Sequence, residues 1–305
     1  MDRRLRSTGS LCSPGDDGMK STLTFKAGPT SIASVHQRIV NSMLRGDDDQ
    51  APERRDDDFL SRDYHPQALQ VAIHTWRRRM IHEHESTAVF AAIVPQLMEA
   101  HATIDFKTTV LRCAMDELRH AALCEEVIEF LGGDPSVEVE VDLQPIPRHQ
   151  DCSRRVAVLR NLLFASLTET ISMGLLTEER ERVEEPYIAR VLRQLASDES
   201  LHARVGWNYL AALHEDLSDE ERQAMRDYMP VALGYMEAEL LHAMPLDPDN
   251  EPPPEIMDDI FALGFSESKN GRALLYDSIN EVVLPRLDAF GLNATDAWKV
   301  RKRVV

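Results

Sequence analysis

The sequence predicts an all-α protein: a four-helix bundle with one long crossover, extra C-terminal helices and a loosely ordered N-terminal arm. Three observations carry this. Apolar residues recur at helical spacing in four long segments, at roughly 68–101, 105–132, 154–183 and 187–214. The first and third connections are short, whereas the second, LGGDPSVEVEVDLQPIPRHQDCS, is punctuated by Pro and Gly and too long for a tight turn. Aromatic residues make up 6% of the chain and Gly only 13 of its 305 residues, against 43% hydrophobic residues, which suits helices joined by few turns. Two helical hairpins linked by one long crossover is a recognised bundle layout.

The elements follow in order. Residues 1–65 mix Gly, Pro, Ser and charge, including GDDDQAPERRDDD, and read as a partly disordered arm with short helical pieces around 31–44. Residues 66–215 form the bundle, and 216–305 form a helical extension packing on it. In that extension, Ser218 and Glu221 offer a capping box for a helix running toward Met244, with Pro230 as a kink or break. PLDPDNEPPP is a linker, followed by helices near 255–263 and 267–290. The single strand pattern is the short VEVEV at 137–141.

Composition excludes several classes. With 34 Lys plus Arg against 52 Asp plus Glu, the net charge is −18, which argues against phosphate neutralisation and hence against nucleic acid as a partner. Cys12, Cys113, Cys124 and Cys152 form no C-x-x-C pair, so neither a zinc ribbon nor a rubredoxin-type iron site is expected. No apolar run approaches the ~20 residues that cross a bilayer, and the basic N-terminus lacks the apolar stretch of a signal peptide. No membrane is expected as a partner, and a cytoplasmic location is.

The chemistry lies in a repeated cluster. CAMDELRHAALC carries Asp116, Glu117 and His120, and LASDESLHARVGW carries Asp198, Glu199 and His202 in the same arrangement. The apolar seam of the second helix runs Phe106, Val110, Cys113, Glu117, His120, Cys124, Val127, Leu131, with steps alternating four and three. That of the fourth runs Ile188, Leu192, Leu195, Glu199, His202, Gly206, Tyr209, Leu213. Both Glu–His pairs therefore point into the bundle. The first helix has Trp76, Met80, Glu83, Thr87, Phe90, Val94 and Leu97 on its seam; Glu85, the rival to Glu83, shares a more polar stripe with Arg78 and His82. The third has Leu159, Leu162, Ser166, Glu169, Met173 and Leu176, and Glu169 is the one acidic residue between Cys152 and Thr177.

Four helices thus each aim one carboxylate inward, and two also aim an imidazole. Burying four carboxylates costs several kcal/mol per ion unless cations compensate them. Two divalent metals do so, and an oxygen-rich set with two imidazoles suits iron or manganese better than zinc or calcium. The metal ligands expected are Glu83, Glu117, His120, Glu169, Glu199 and His202. Asp116 and Asp198 are expected to accept from the far nitrogen of a ligand His on the facing helix. Simpler readings stand beside these. A bundle with buried Glu–His and Glu–Arg pairs needs no metal, although the seams contain no Lys or Arg. Tyr209 reads as a core tyrosine or a redox-active phenol, Cys113 and Cys124 as small apolar packing, and Gly206 as room for a substrate or for close helix approach.

Glu83, Glu117-x-x-His120, Glu169 and Glu199-x-x-His202 resemble the ligand set of the ferritin-like di-iron carboxylate superfamily. EHESTAVFA, DELRHAALC, ETI, DESLHA and VVLPRLDAFG are most similar to uncharacterised bacterial ferritin-like domain proteins, over about 75–214 well and the C-terminal helices weakly. The resemblance implies a ferritin-like bundle with two iron ions (or manganese–iron) and an oxidoreductase that uses O2 or H2O2 to oxidise or oxygenate a small organic substrate. It also implies an external electron donor and is compatible with a homodimer. A ferroxidase or peroxidase of rubrerythrin type, or a metal-stabilised bundle without turnover, are the other readings.

Overall fold

A computed structural model describes residues 20–23, 59–140, 145–246 and 252–301. The expected arm at 1–65 therefore lies largely outside the described residues. Within them the chain is all-α apart from one small sheet.

Four long helices dominate: α1 (Pro66–Glu99), α2 (Ile104–Phe130), α3 (Arg154–Arg182) and α4 (Pro186–Leu213). Each lies within two residues of its expected bounds. Their starts use local signals. Pro occupies the first turn of α1 and α4, where its missing N–H costs nothing, and Ser153 caps α3 by accepting from the Val156 N–H. Pro95 is accommodated inside α1. The helices pack as two hairpins, α1 on α2 and α3 on α4, with α2 meeting α4 and α1 meeting α3.

A 3-10 turn at His214–Asp216 leads to α5 (Asp219–Ala243). The Ser218–Glu221 capping box forms in full, and α5 continues through Pro230, so of the kink or break expected there the break is absent. The expected C-terminal helices are shorter and more segmented. They comprise α6 (Met257–Ala262) after a 3-10 turn, α7 (Ser268–Ser278), a π-helical turn at Ile279–Val283, α8 (Leu284–Ala289) and an unforeseen α9 (Ala294–Lys299). They cover α3 and α5. Gly264, in the left-handed region at φ +83°, turns the chain after α6 so that Leu263 O accepts from Trp76 Nε1 at 3.1 Å.

The unforeseen β1 (Lys20–Leu23) pairs antiparallel with β2 (Val137–Glu140), which occupies most of the expected VEVEV strand. One sequence expectation is corrected: α3 is long and apolar enough to cross a membrane, although 67% of its apolar window is buried within the protein. Apolar side chains of core helices pass the same test because both environments exclude water.

The seams behave as cores. On α2, Val110, Cys113, Cys124 and Val127 are fully buried, and on α4 so are Ile188 and Leu192, with Leu195 and Tyr209 almost wholly buried. One buried ion pair and one buried, hydrogen-bonded carboxylate tie the elements together. Arg79 of α1 donates to both carboxylate oxygens of Glu179 of α3, each at 2.7 Å, while stacking on Trp76. Glu185, fully buried ahead of α4, accepts from the Tyr64 hydroxyl at 2.5 Å and from Ser61 N and Oγ at 2.9 and 2.7 Å. This ties the segment preceding α1 to the α3–α4 turn.

Candidate metal centre

Midway along the helices, the polar seam residues meet. Glu83 (α1), Glu117 and His120 (α2) and Glu199 (α4) each offer a ligand atom within 4.8 Å of all the others, a buried group able to hold a metal ion. The step of three between Glu117 and His120, and between Glu199 and His202, puts each pair on one helix face. Glu117, His120, Glu199 and His202 are almost wholly buried, and the Glu83 side chain retains 14% exposure. Glu85 is exposed and outside the group.

The pairing of atoms is regular. His120 Nδ1 lies 3.0 Å from Glu199 Oε1, 3.4 Å from Glu83 Oε2 and 3.7 Å from Glu117 Oε2. His202 Nδ1 lies 3.1 Å from Glu117 Oε1 and 3.0 Å from Glu199 Oε2. Glu117 and Glu199 thus each present one oxygen to either imidazole, and the two rings stand 5.6 Å apart. Glu169 is half-buried on α3, close enough to Glu199, Glu117 and His202 to feel their charges.

These contacts are not hydrogen bonds. Glu117 Oε1, His120 Nδ1, Glu199 Oε2 and both His202 nitrogens are buried without a hydrogen-bond partner. Orphaned buried polar atoms are rare and costly. Donor atoms held ~3 Å apart with their lone pairs converging suit a cation instead, because metal–ligand bonds of ~2.1 Å at right angles separate neighbouring ligands by about that distance. The donor set therefore fits a metal.

Electrostatics agree. Burial opposes charge on His120, yet Asp198, Glu117, Glu199 and Glu83 push it well above the ordinary imidazole value. His202 is likewise raised despite burial, by Asp116, Cys113, Glu117 and Glu199. Burial and the charges of Glu199 and Glu117 push Glu169 far up, and burial, only partly opposed by His120, pushes Glu83 to about 7. Burial works to raise Glu199 and Glu117 too, but the two histidines hold both below the ordinary carboxylate value. Groups this crowded need positive charge among them, from protons or from metal, and the two compete.

Around the imidazoles the structure adds residues that sequence reasoning only partly found. His120 Nε2 lies 3.1 Å from Asp198 Oδ2 across the α2–α4 interface, whereas His202 Nε2 lies 3.7 Å from Asp116 Oδ2, beyond hydrogen-bonding range. Arg119, 2% exposed, joins the two acids: its guanidinium pairs with Asp116 Oδ1 at 3.0 Å and with Asp198. Arg119 went unrecognised because it lies off the α2 seam. Its signal was the contrast between the twin motifs, Arg119 against Leu201. Cys113 lies beside His202 and Cys124 near Glu83, both as buried thiols whose pKa burial raises. Tyr209 is buried edge-on to Phe106 at 4.9 Å, and burial pushes its phenol to about 12.

No family model, curated protein or solved structure matches this chain.

Proposed function

We propose that the chain is a ferritin-like four-helix bundle holding two iron ions, and that it is an oxidoreductase using O2 or H2O2 on a small organic substrate. The observation that carries this reading is the twofold arrangement of Glu117 and Glu199, each directing one oxygen to either imidazole. Two carboxylates that each face both imidazoles, with one histidine on each side, would hold two ions rather than one. Glu83 adds an oxygen on the His120 side, and Glu169 completes the set from α3. Four carboxylates balance two divalent ions, and the mixed oxygen–imidazole donors favour iron, or manganese with iron, over zinc and calcium.

When bound, two ferrous ions supply the electrons that reduce dioxygen or peroxide. The chain's own residues set the conditions. Asp198 holds His120 with Nδ1 turned inward. Phe90, whose ring sits 5.2 Å from His202, and the apolar seams above and below exclude water from the centre. In the metal-free centre Glu83 and Glu169, the carboxylates with raised pKa values and the greater exposure, are the groups that hold protons, which an arriving metal would displace. The side with these two half-buried carboxylates, between α1 and α3, is the approach for small molecules.

The test is oxygen consumption after anaerobic loading with ferrous iron. The wild-type chain should consume O2 rapidly on exposure, with an optical change, and Glu199→Ala should do neither. Loaded wild-type protein that leaves both O2 and H2O2 untouched would reduce the chain to a metal-stabilised bundle without turnover.

A further inference from the structure

The two Asp-Glu-x-x-His motifs are alike in ligands but unlike in what surrounds them. At the position five residues before the glutamate, the first motif has Arg112 and the second Gln194; two residues after it, Arg119 and Leu201. Both arginines act on Asp116. Arg112 Nε sits 2.8 and 2.9 Å from its two oxygens, and Arg119 lies 3.0 Å from Oδ1. Asp198 instead accepts from the neutral Gln194 amide at 3.1 and 3.0 Å, pairs with Arg119 and meets His120 Nε2 at 3.1 Å.

The motifs are crossed, since each aspartate faces the histidine of the other helix. The arginine-rich first motif therefore weakens the support of His202, and the second motif supports His120 well. A carboxylate accepting from the far nitrogen of a ligand imidazole fixes the tautomer and raises the basicity of the ligating nitrogen. One already engaged by two guanidiniums is a poorer acceptor, and Asp116 Oδ2 stands 3.7 Å from His202 Nε2. The donor atoms are unequal in the same sense. His120 groups with Glu83, Glu117 and Glu199, three carboxylates, into a compact set, while His202 Nδ1 faces the two carboxylates Glu117 and Glu199 at 3.1 and 3.0 Å.

Resting on the two-ion reading above, we infer that the two metal positions are inequivalent: the one at His120 binds first and more tightly, and Arg112 is a positioning residue that keeps the one at His202 weak. The protein would then load in order and could hold two different metals in fixed places.

The test is a titration of the full chain with cobalt(II), whose visible absorption reports each ion as it binds. The wild type should take up two ions in separate phases whose dissociation constants differ by about 10-fold or more, the range over which such outer partners act. His202→Ala should keep the tighter phase and His120→Ala should lose it. Arg112→Gln gives the first motif the residue of the second; the Arg112 side chain is 38% exposed, so the variant should fold. It should leave Asp116 with one guanidinium and one neutral amide, as Asp198 has, making it a better acceptor for His202 and narrowing the gap by tightening the weaker phase, whereas a merely structural role for Arg112 would weaken both. Two equal phases, a tighter phase that survives His120→Ala, or no tightening in Arg112→Gln would overturn the inference while leaving the two-ion reading intact. Fewer than two ions bound to the wild type would overturn both.

Discussion

Ser166 and Gly206 hold α3 close against α4: the Ser166 hydroxyl accepts from the Gly206 N–H at 2.7 Å and donates to His202 O at 3.0 Å. A methyl group on Gly206 would lie 2.2 Å from the Leu162 carbonyl oxygen, which is backbone and cannot swing aside. Gly206→Ala is therefore expected to lower stability by about 3 kcal/mol, the upper part of the usual overpacking range. Because the same hydroxyl anchors the turn carrying His202, metal affinity should fall with it. Chemical denaturation read by circular dichroism, with and without metal, checks both; a variant as stable as wild type would show that the helices cross more loosely than this.

The pair Arg79–Glu179 ties α1 to α3 with Glu179 almost fully buried. Arg79→Met leaves that carboxylate unpaired, and breaking a buried pair costs about 3–5 kcal/mol. Burial already raises the pKa of Glu179, so at acid pH, where it takes up a proton, the penalty should shrink. Urea midpoints at pH 8 and pH 5 measure the difference. A cost independent of pH would point to lost packing against Trp76 instead.

Glu221, at the start of α5, accepts from Arg155 Nε at 2.7 Å and from Ser153 Oγ at 2.6 Å. The Arg155 guanidinium is the main cause that holds its pKa down at about 2. A depressed carboxylate stabilises the fold above its unfolded pKa, and that contribution is lost as pH falls through the folded value. Relative to wild type, Glu221→Gln should be less stable at pH 6, and the difference should close between about pH 4.5 and 2. A difference that persists unchanged at pH 2 would rule out the ion pair as its source.

Metal should stabilise the fold, because the proposed ligands come from all four long helices. Binding at 1,000 times the dissociation constant adds about 4 kcal/mol per site. The melting temperature should rise with added ferrous or cobalt ion under anaerobic conditions and fall with chelator, and Glu117→Ala should lose most of the response. A chelator-insensitive melting curve in the wild type would contradict this.

Much of this was legible in the sequence because seam register depends on helical period alone. Alternating steps of four and three put Glu117, His120, Glu199 and His202 inward, and the structure buries all four. The choice between Glu83 and Glu85 followed from the same register, and Glu83 is the one within the group. Off-seam residues were less visible. Arg119 reaches the centre by the length of its side chain rather than by its place on the helix, and the register of α2 gave no hint of it. The C-terminal region failed for another reason. Its helices are short, and the π turn at Ile279–Val283 shifts the periodicity on which a continuous 267–290 helix was inferred. The pairing of β1 with β2 joins residues more than a hundred positions apart, which no local pattern reveals.

The most direct test of the central claim is the number of metal ions per chain after anaerobic loading with ferrous iron and removal of free metal. Two irons per chain in the wild type, with loss of binding in Glu169→Ala and in Glu117→Ala, is the predicted result. No iron, or a single iron indifferent to Glu169, would contradict the account and leave the twin motifs as a buried acid–imidazole cluster.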